Sequence, residues 1–214
     1  MAPQAMDWIT ARNRKDKLVE MMKAGNWRGV LAEFSEDSYY REPLLVWIKP
    51  SSSCLEFIEA EVRQLGLSHL SSVGCGCGTL EWLLQASTGQ RWKHNKINKS
   101  FLMIIHTGLT VTGYEVNRIW WEGEHSTPHF IKIGGYIWKI LSEGNLILEY
   151  VDEMKEKTCI IPKNSALMFC YFNNIELFHK YLDQYKGPCI ILVGPVDGAR
   201  HCDPEPAYLE VRYR

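Results

Sequence analysis

The sequence predicts an α/β fold, a doubly wound, mostly parallel sheet with helices on both faces. Strand-like apolar runs alternate with amphipathic helical ones along much of the chain. The run Ala166–Phe172 is apolar throughout, as a central parallel strand buried on both faces requires, and Cys189–Val193 is a further apolar strand-like run. The first strand turns into a helix through Val73-Gly74-Cys75-Gly76-Cys77-Gly78-Thr79. Parallel strands need helical crossovers, so this alternation places helices on both sides of the sheet and ligands at the strands' carboxyl ends.

Taken in order, residues 7–34 set Leu18, Met21, Met22, Val30 and Leu31 among charges with Gly25 as a break, which predicts two short helices. These belong to an N-terminal helical extension, 1–52, ahead of a main domain, 53–214. Ser51–Ser53 cap a helix over 54–65 that buries Leu55, Ile58 and Val62 and ends at Gly66. The first strand, approached through Leu65 and Leu67 and carrying Leu70 and Val73, leads into the glycine stretch and a helix from Thr79 to about Gln85. The second strand is expected over 109–114, ending at Glu115, and the third over 146–151, ending before Asp152. A fourth strand at 166–172, a helix at 175–185 and a fifth strand at 189–193 complete the pattern.

Glu115 lies well beyond the roughly 20 residues that usually separate a glycine loop from the acid of the next strand. The excess falls in 90–108, a basic run (Arg91, Lys93, Lys96, Lys99) followed by Phe101–Ile105. Removing it joins Gly89 to Leu109 and restores the usual spacing, so it reads as an insertion that is irregular or weakly packed. A second insertion is expected near 133–145.

A chain of 214 residues with net charge −1 is long enough for one substantial α/β domain and carries no global attraction for nucleic acid or anionic lipid. No nucleic-acid patch is evident. Seven cysteines without a disulfide-like framework fit reduced thiols in a cytosolic setting. No signal peptide is visible at the N-terminus, and the apolar runs are too short to cross a bilayer. The expectation is therefore a soluble, cytoplasmic or nuclear protein with no membrane partner. Cys75, Cys77 and His201-Cys202 have poor spacing for a tetrahedral metal site, and no metal is expected.

The spelling of the glycine loop separates several functions. A dinucleotide fingerprint requires glycine where Thr79 stands, and a phosphate-binding P-loop requires Gly-Lys-Ser/Thr. The remaining pattern, Gly74-x-Gly76-x-Gly78, resembles the first motif of class I S-adenosylmethionine-dependent methyltransferases, over about residues 53–195. That resemblance implies a small-molecule cofactor, S-adenosylmethionine, whose methionine part and ribose rest on Gly74, Cys75, Gly76, Cys77 and Gly78. It assigns the ribose hydroxyls to Glu115 and the adenine amino group to Asp152. An acid usually stands two residues before the first glycine, where this chain has Ser72. Glu81, in the first turn of the following helix, is the nearest substitute carboxylate. In relatives that methylate amino groups the segment after the fourth strand is Asp/Asn-Pro-Pro-Tyr/Phe. Here Tyr171-Phe172-Asn173-Asn174 keeps aromatics and amides without the prolines, which makes Tyr171, Asn173 and Asn174 the catalytic candidates.

The family's sheet closes with a further helix and an antiparallel strand pair, whereas only 207–214 follow the loop 197–206 here. The sheet is thus expected to be incomplete at its C-terminal edge. Two functions follow from the resemblance: methyl transfer to an unidentified acceptor, or a catalytically inactive methyltransferase-like binding or regulatory protein.

Overall fold

The computed structural model describes residues 8–35, 48–89, 92–97, 100–105, 108–115, 131–133, 137–139, 147–150, 161–194 and 202. Helices α1 (Trp8–Lys23), α2 (Trp27–Ser35) and α3 (Ser52–Gln64) precede strand β1 (His69–Val73) and helix α4 (Thr79–Gly89). Then come β2 (Trp92–Ile97), β3 (Ser100–Ile105), β4 (Thr110–Glu115), β5 (Ile131–Ile133), β6 (Ile137–Lys139) and β7 (Ile147–Tyr150). Strand β8 (Ser165–Cys170), helix α5 (Ile175–Gln184) and strand β9 (Ile190–Val193) end the series.

Local chemistry sets the helix boundaries. Extended Ser51 accepts the Cys54 N–H at 3.2 Å and so satisfies one of the donors left open at the start of α3. At the other end Gly66, with φ of 71°, reverses the chain so that Leu67 N–H returns to the Val62 carbonyl at 3.1 Å. In α5, Asn174 caps the first turn and Phe178 and Tyr181 form the buried stripe.

Five strands form one sheet in the order β7-β4-β1-β8-β9, and every neighbouring pair is parallel. Alternation along the strands divides the core between the two faces. Leu70, Val111, Ala166 and Met168 pack with side chains of α1–α4, including Leu18, Val30, Leu55, Ile58, Leu83 and Leu84. Val73, Tyr114, Leu167 and Phe169 pack on the opposite face with Phe178 and Tyr181 of α5. The N-terminal helices therefore share the core of the sheet. The fold is α/β, with helices on both faces of a parallel sheet. Among the described residues no helix is long and apolar enough to cross a membrane.

The chain runs from β1 outward through β4 to β7, then returns to β8 on the other side of β1 and on to β9. The direction of winding changes between β1 and β8, and the carboxyl ends of these strands border the crevice that such a reversal opens.

The segment expected to be irregular or weakly packed has regular strands, though they stand apart from the main sheet. Strands β2 and β3 pair in antiparallel register, from Trp92 with Ile105 to Ile97 with Ser100, as a two-stranded sheet separate from the main one. Polar β2 and apolar β3 were each long enough to satisfy the other's backbone, which a reading for main-sheet strands overlooks. Strands β5 and β6 form another antiparallel pair, of which β6 and Ile133 fall within the stretch 133–145 expected as a second insertion. The expected incomplete edge concerns residues that, apart from Cys202, lie outside those described.

The first hairpin leaves and rejoins the fold at one point. A Cβ added to Gly108 would lie 2.7 Å from the Gly89 Cα, so the two backbones are in contact. Thr88 Oγ1 accepts the Leu109 N–H at 2.9 Å and Gln85 Oε1 accepts the Val111 N–H at 3.2 Å, fastening α4 to β4 directly. Adding a Cα–Cβ bond puts the two α-carbons within about 4.2 Å, close to the roughly 3.8 Å across one peptide bond. A variant with residues 90–107 deleted and Gly89 joined to Gly108 is expected to unfold cooperatively within a few degrees of the intact chain. Calorimetry checks this, and loss of a cooperative transition would show that the hairpin supports the core.

Candidate functional site

The glycine loop leaves β1 at the carboxyl edge of the sheet, between β4 and β8. Gly74, Gly76 and Gly78 have φ of 74°, 56° and 75°, in the left-handed region where an L side chain is strained. Gly74 N–H continues the ladder by donating to the Tyr114 carbonyl at 2.8 Å. Gly78 N–H then turns back to the Cys75 carbonyl at 3.0 Å, and the Gly78 carbonyl accepts Trp82 N–H at 2.9 Å to start α4.

The three glycines do different things. A Cβ on Gly74 would stand 2.8 Å from Phe172 Cδ2, so its bare α-carbon admits the aromatic ring that follows β8. Nothing lies within 4 Å of a Cβ on Gly76. The open space of the loop is therefore at Gly76, while Gly74 is covered by the protein's own side chain. Phe172 rests edge-on against Phe169, with ring centroids 5.0 Å apart.

Glu115, at the end of β4, accepts the Gly76 N–H through Oε2 at 2.8 Å although 39 residues separate them in sequence. Glu81 lies in the first turn of α4, and its Oε1 accepts the Ser72 hydroxyl proton at 2.6 Å. Ser72 stands on β1 where the resemblance calls for an acid, and its hydroxyl binds the carboxylate supplied by the helix. Both carboxyls are buried, Glu115 at 5% exposure and Glu81 at 1%. Glu81 Oε2 has no hydrogen-bond partner among the described residues.

These surroundings push the Glu81 carboxyl up to about 7. Burial is the main cause, the Glu115 charge adds to it, and the Ser72 hydroxyl opposes it by stabilising the ionised form. The Cys75 thiol is raised well above its ordinary value by burial, then by Glu81, Glu115 and Cys77. A protonated thiol is a poor nucleophile and a poor metal ligand. Among the described residues no group of three His, Cys, Asp or Glu side chains could hold a metal ion.

The fourth-strand candidates separate. Asn174 Oδ1 accepts the Leu177 N–H at 2.9 Å and caps α5. Asn173 is exposed. Tyr171 has φ of 51°, unusual for a tyrosine, and its N–H donates to the Val193 carbonyl at 2.7 Å. That backbone twist turns the chain so that Phe172 reaches Gly74. The structure thus gathers Gly74, Cys75, Gly76, Cys77, Gly78, Glu81 and Glu115 at one edge, with Tyr171 and Phe172 beside them. Asp152 lies outside the described residues. The pairing of Phe172 with Gly74 escaped sequence reasoning, although an aromatic just beyond an apolar strand was a usable signal.

The fold and the site define an α/β protein whose glycine-rich loop opens at the carboxyl edge of a parallel sheet, flanked by two buried carboxyls. Compared with known proteins, the chain matches no family model and no curated protein.

Gly74→Ala is expected to destabilise the protein by about 2–4 kcal/mol, combining left-handed strain with the clash against Phe172. Gly76→Ala carries only the strain, about 1–2 kcal/mol. Adding Phe172→Ala to Gly74→Ala should recover the steric part in a double-mutant cycle by denaturant unfolding; a purely additive result would remove the contact from the account.

A second expectation concerns pH. The folded-state value of Glu81 is raised above its unfolded one, so folding loses stability as pH rises from about 4.5 to about 7 and no more beyond. Glu81→Gln should abolish that loss and stabilise the ligand-free protein above pH 7 by up to about 3 kcal/mol. Unfolding titrations of both proteins at pH 5 and 8 measure it.

Proposed function

We propose that this protein binds S-adenosylmethionine at the glycine loop and transfers its methyl group to an acceptor. The observation that carries the proposal is the 2.8 Å hydrogen bond from Gly76 N–H to Glu115, which ties an open glycine of the loop to the strand-end acid. A nucleoside needs both features together: bare backbone for close approach and a carboxylate to accept ribose hydroxyl protons. The strand order β7-β4-β1-β8-β9 supports the same reading, because it sets the loop at the crevice where ligands of doubly wound sheets sit. Glu81 supports it further, since its Oε2 has no hydrogen-bond partner among the described residues and the amino-acid part of the ligand carries an ammonium group.

The residues present therefore suit the ligand, which would supply an activated methyl on sulfur. The chain's own contribution is binding and orientation. Gly76 and Gly78 give backbone access, Glu115 takes the ribose, and Glu81 faces the ammonium end. Phe172, lying over Gly74, closes one side of the loop. The acceptor would enter beside Tyr171 and Asn173, where β8 ends.

A second reading, a methyltransferase-like binding protein without turnover, is favoured by one observation. The Asn174 side chain, which would be expected to face an acceptor amine, is committed to capping α5.

Calorimetry with S-adenosylmethionine is expected to show saturable binding that weakens at least tenfold in Glu115→Ala. Absence of heat at millimolar ligand would overturn both readings. Binding without transfer of labelled methyl to any component of a cell extract would select the second.

A further inference from the structure

The two oxygens of Glu81 are treated differently by the fold. Oε1 receives the Ser72 hydroxyl proton at 2.6 Å, and Oε2 has no partner among the described residues although the side chain is almost fully buried. The ionisable and polar groups that face it come from three strands and the loop: Ser72 on β1, Glu115 on β4, Cys170 at the end of β8, and Cys75. None of these four is a cation. An ionised Glu81 therefore adds a second negative charge beside Glu115 in a poorly solvated place, offset by the Ser72 hydroxyl and Glu81's own backbone N–H but by no cation among these neighbours.

We propose that Glu81 is a proton-linked positioning residue: a ligand bearing an ammonium group takes up Oε2 as Glu81 releases its proton to solvent, so that ligand uptake and proton release are one event. The inference rests on the nucleoside-binding reading and adds to it the protonation state of Glu81 before the ligand enters. In the balanced step the protonated carboxyl and the ligand ammonium give a carboxylate–ammonium pair plus one proton in solvent. The ligand's charge then replaces the proton's. Because burial pushes the Glu81 carboxyl up to about 7, a fraction of a proton should leave per ligand bound near neutral pH, larger at pH 6 than at pH 7.5. Affinity should fall toward about tenfold per pH unit below that point.

The test is calorimetry of the intact chain with two probes, in buffers of high and low ionisation enthalpy at about pH 6, 7 and 7.5. S-Adenosylhomocysteine keeps the ammonium group, and 5′-methylthioadenosine keeps the nucleoside but lacks the amino acid. The expected result is buffer-dependent heat, reporting proton release, for the first probe only. Ser72→Ala, which removes the hydroxyl that favours the ionised form, should move the midpoint of the affinity–pH curve upward. Glu81→Gln should flatten that curve and abolish proton release.

Binding of S-adenosylhomocysteine without proton release, or equal release with both probes, would overturn the inference and leave the nucleoside reading standing. Failure of both probes to bind would overturn that reading and this inference with it.

Discussion

A five-residue strand hydrogen-bonded to parallel neighbours on both edges constrains nearly everything else in this molecule. Strand β1 pairs with β4 from His69–Thr110 to Val73–Tyr114, and with β8 from His69–Ser165 to Val73–Phe169. A strand enclosed in this way has no free edge and must be covered on both faces, which α3, α4 and α5 accomplish. Its carboxyl end then has one exit, upward between the ends of β4 and β8. Whatever follows Val73 in sequence is forced to meet whatever follows Tyr114 and Phe169.

That forced meeting explains the polar content of an otherwise apolar centre. Ser71 and Ser72 sit side by side in β1 with their side chains on opposite faces. Ser71 bonds Ser165 across the sheet at 3.0 Å, and Ser72 bonds Glu81. Each buried hydroxyl is thereby satisfied, as burial requires. The carboxyls follow the same logic only in part. Glu115 is tied to the Gly76 N–H, whereas Glu81 Oε2 has no partner among the described residues. A fold that satisfies its interior polar groups leaves such an atom at a cost of about 1–3 kcal/mol, and sites of binding are where that cost is characteristically tolerated.

Much of the architecture was legible in the sequence because its causes are local. Glycines at 74, 76 and 78 meet a need for positive φ that few other residues fulfil. Ser51 and Gly66 mark the ends of α3 by capping, and the apolar run at 166–170 marks a strand covered on both faces. Glu115 was legible as a strand end because the alternation of β4 stops there. The pairing of the hairpin at 92–105 was not legible, since each strand's partner lies within the same short segment and outside the main-sheet pattern.

The sequence by itself determined the class of fold, the position of the glycine loop and the acid that ends β4, because turn chemistry and side-chain periodicity act over a few residues. Only the tertiary structure decided that Gly74 serves Phe172 while Gly76 stays open. It alone paired Ser72 with Glu81 and brought Gly89 against Gly108. Those relations depend on which strands lie side by side and on the direction in which a helix leaves its loop. Backbone proximity of that kind is fixed by sheet order and crossover geometry, which no short window of residues encodes.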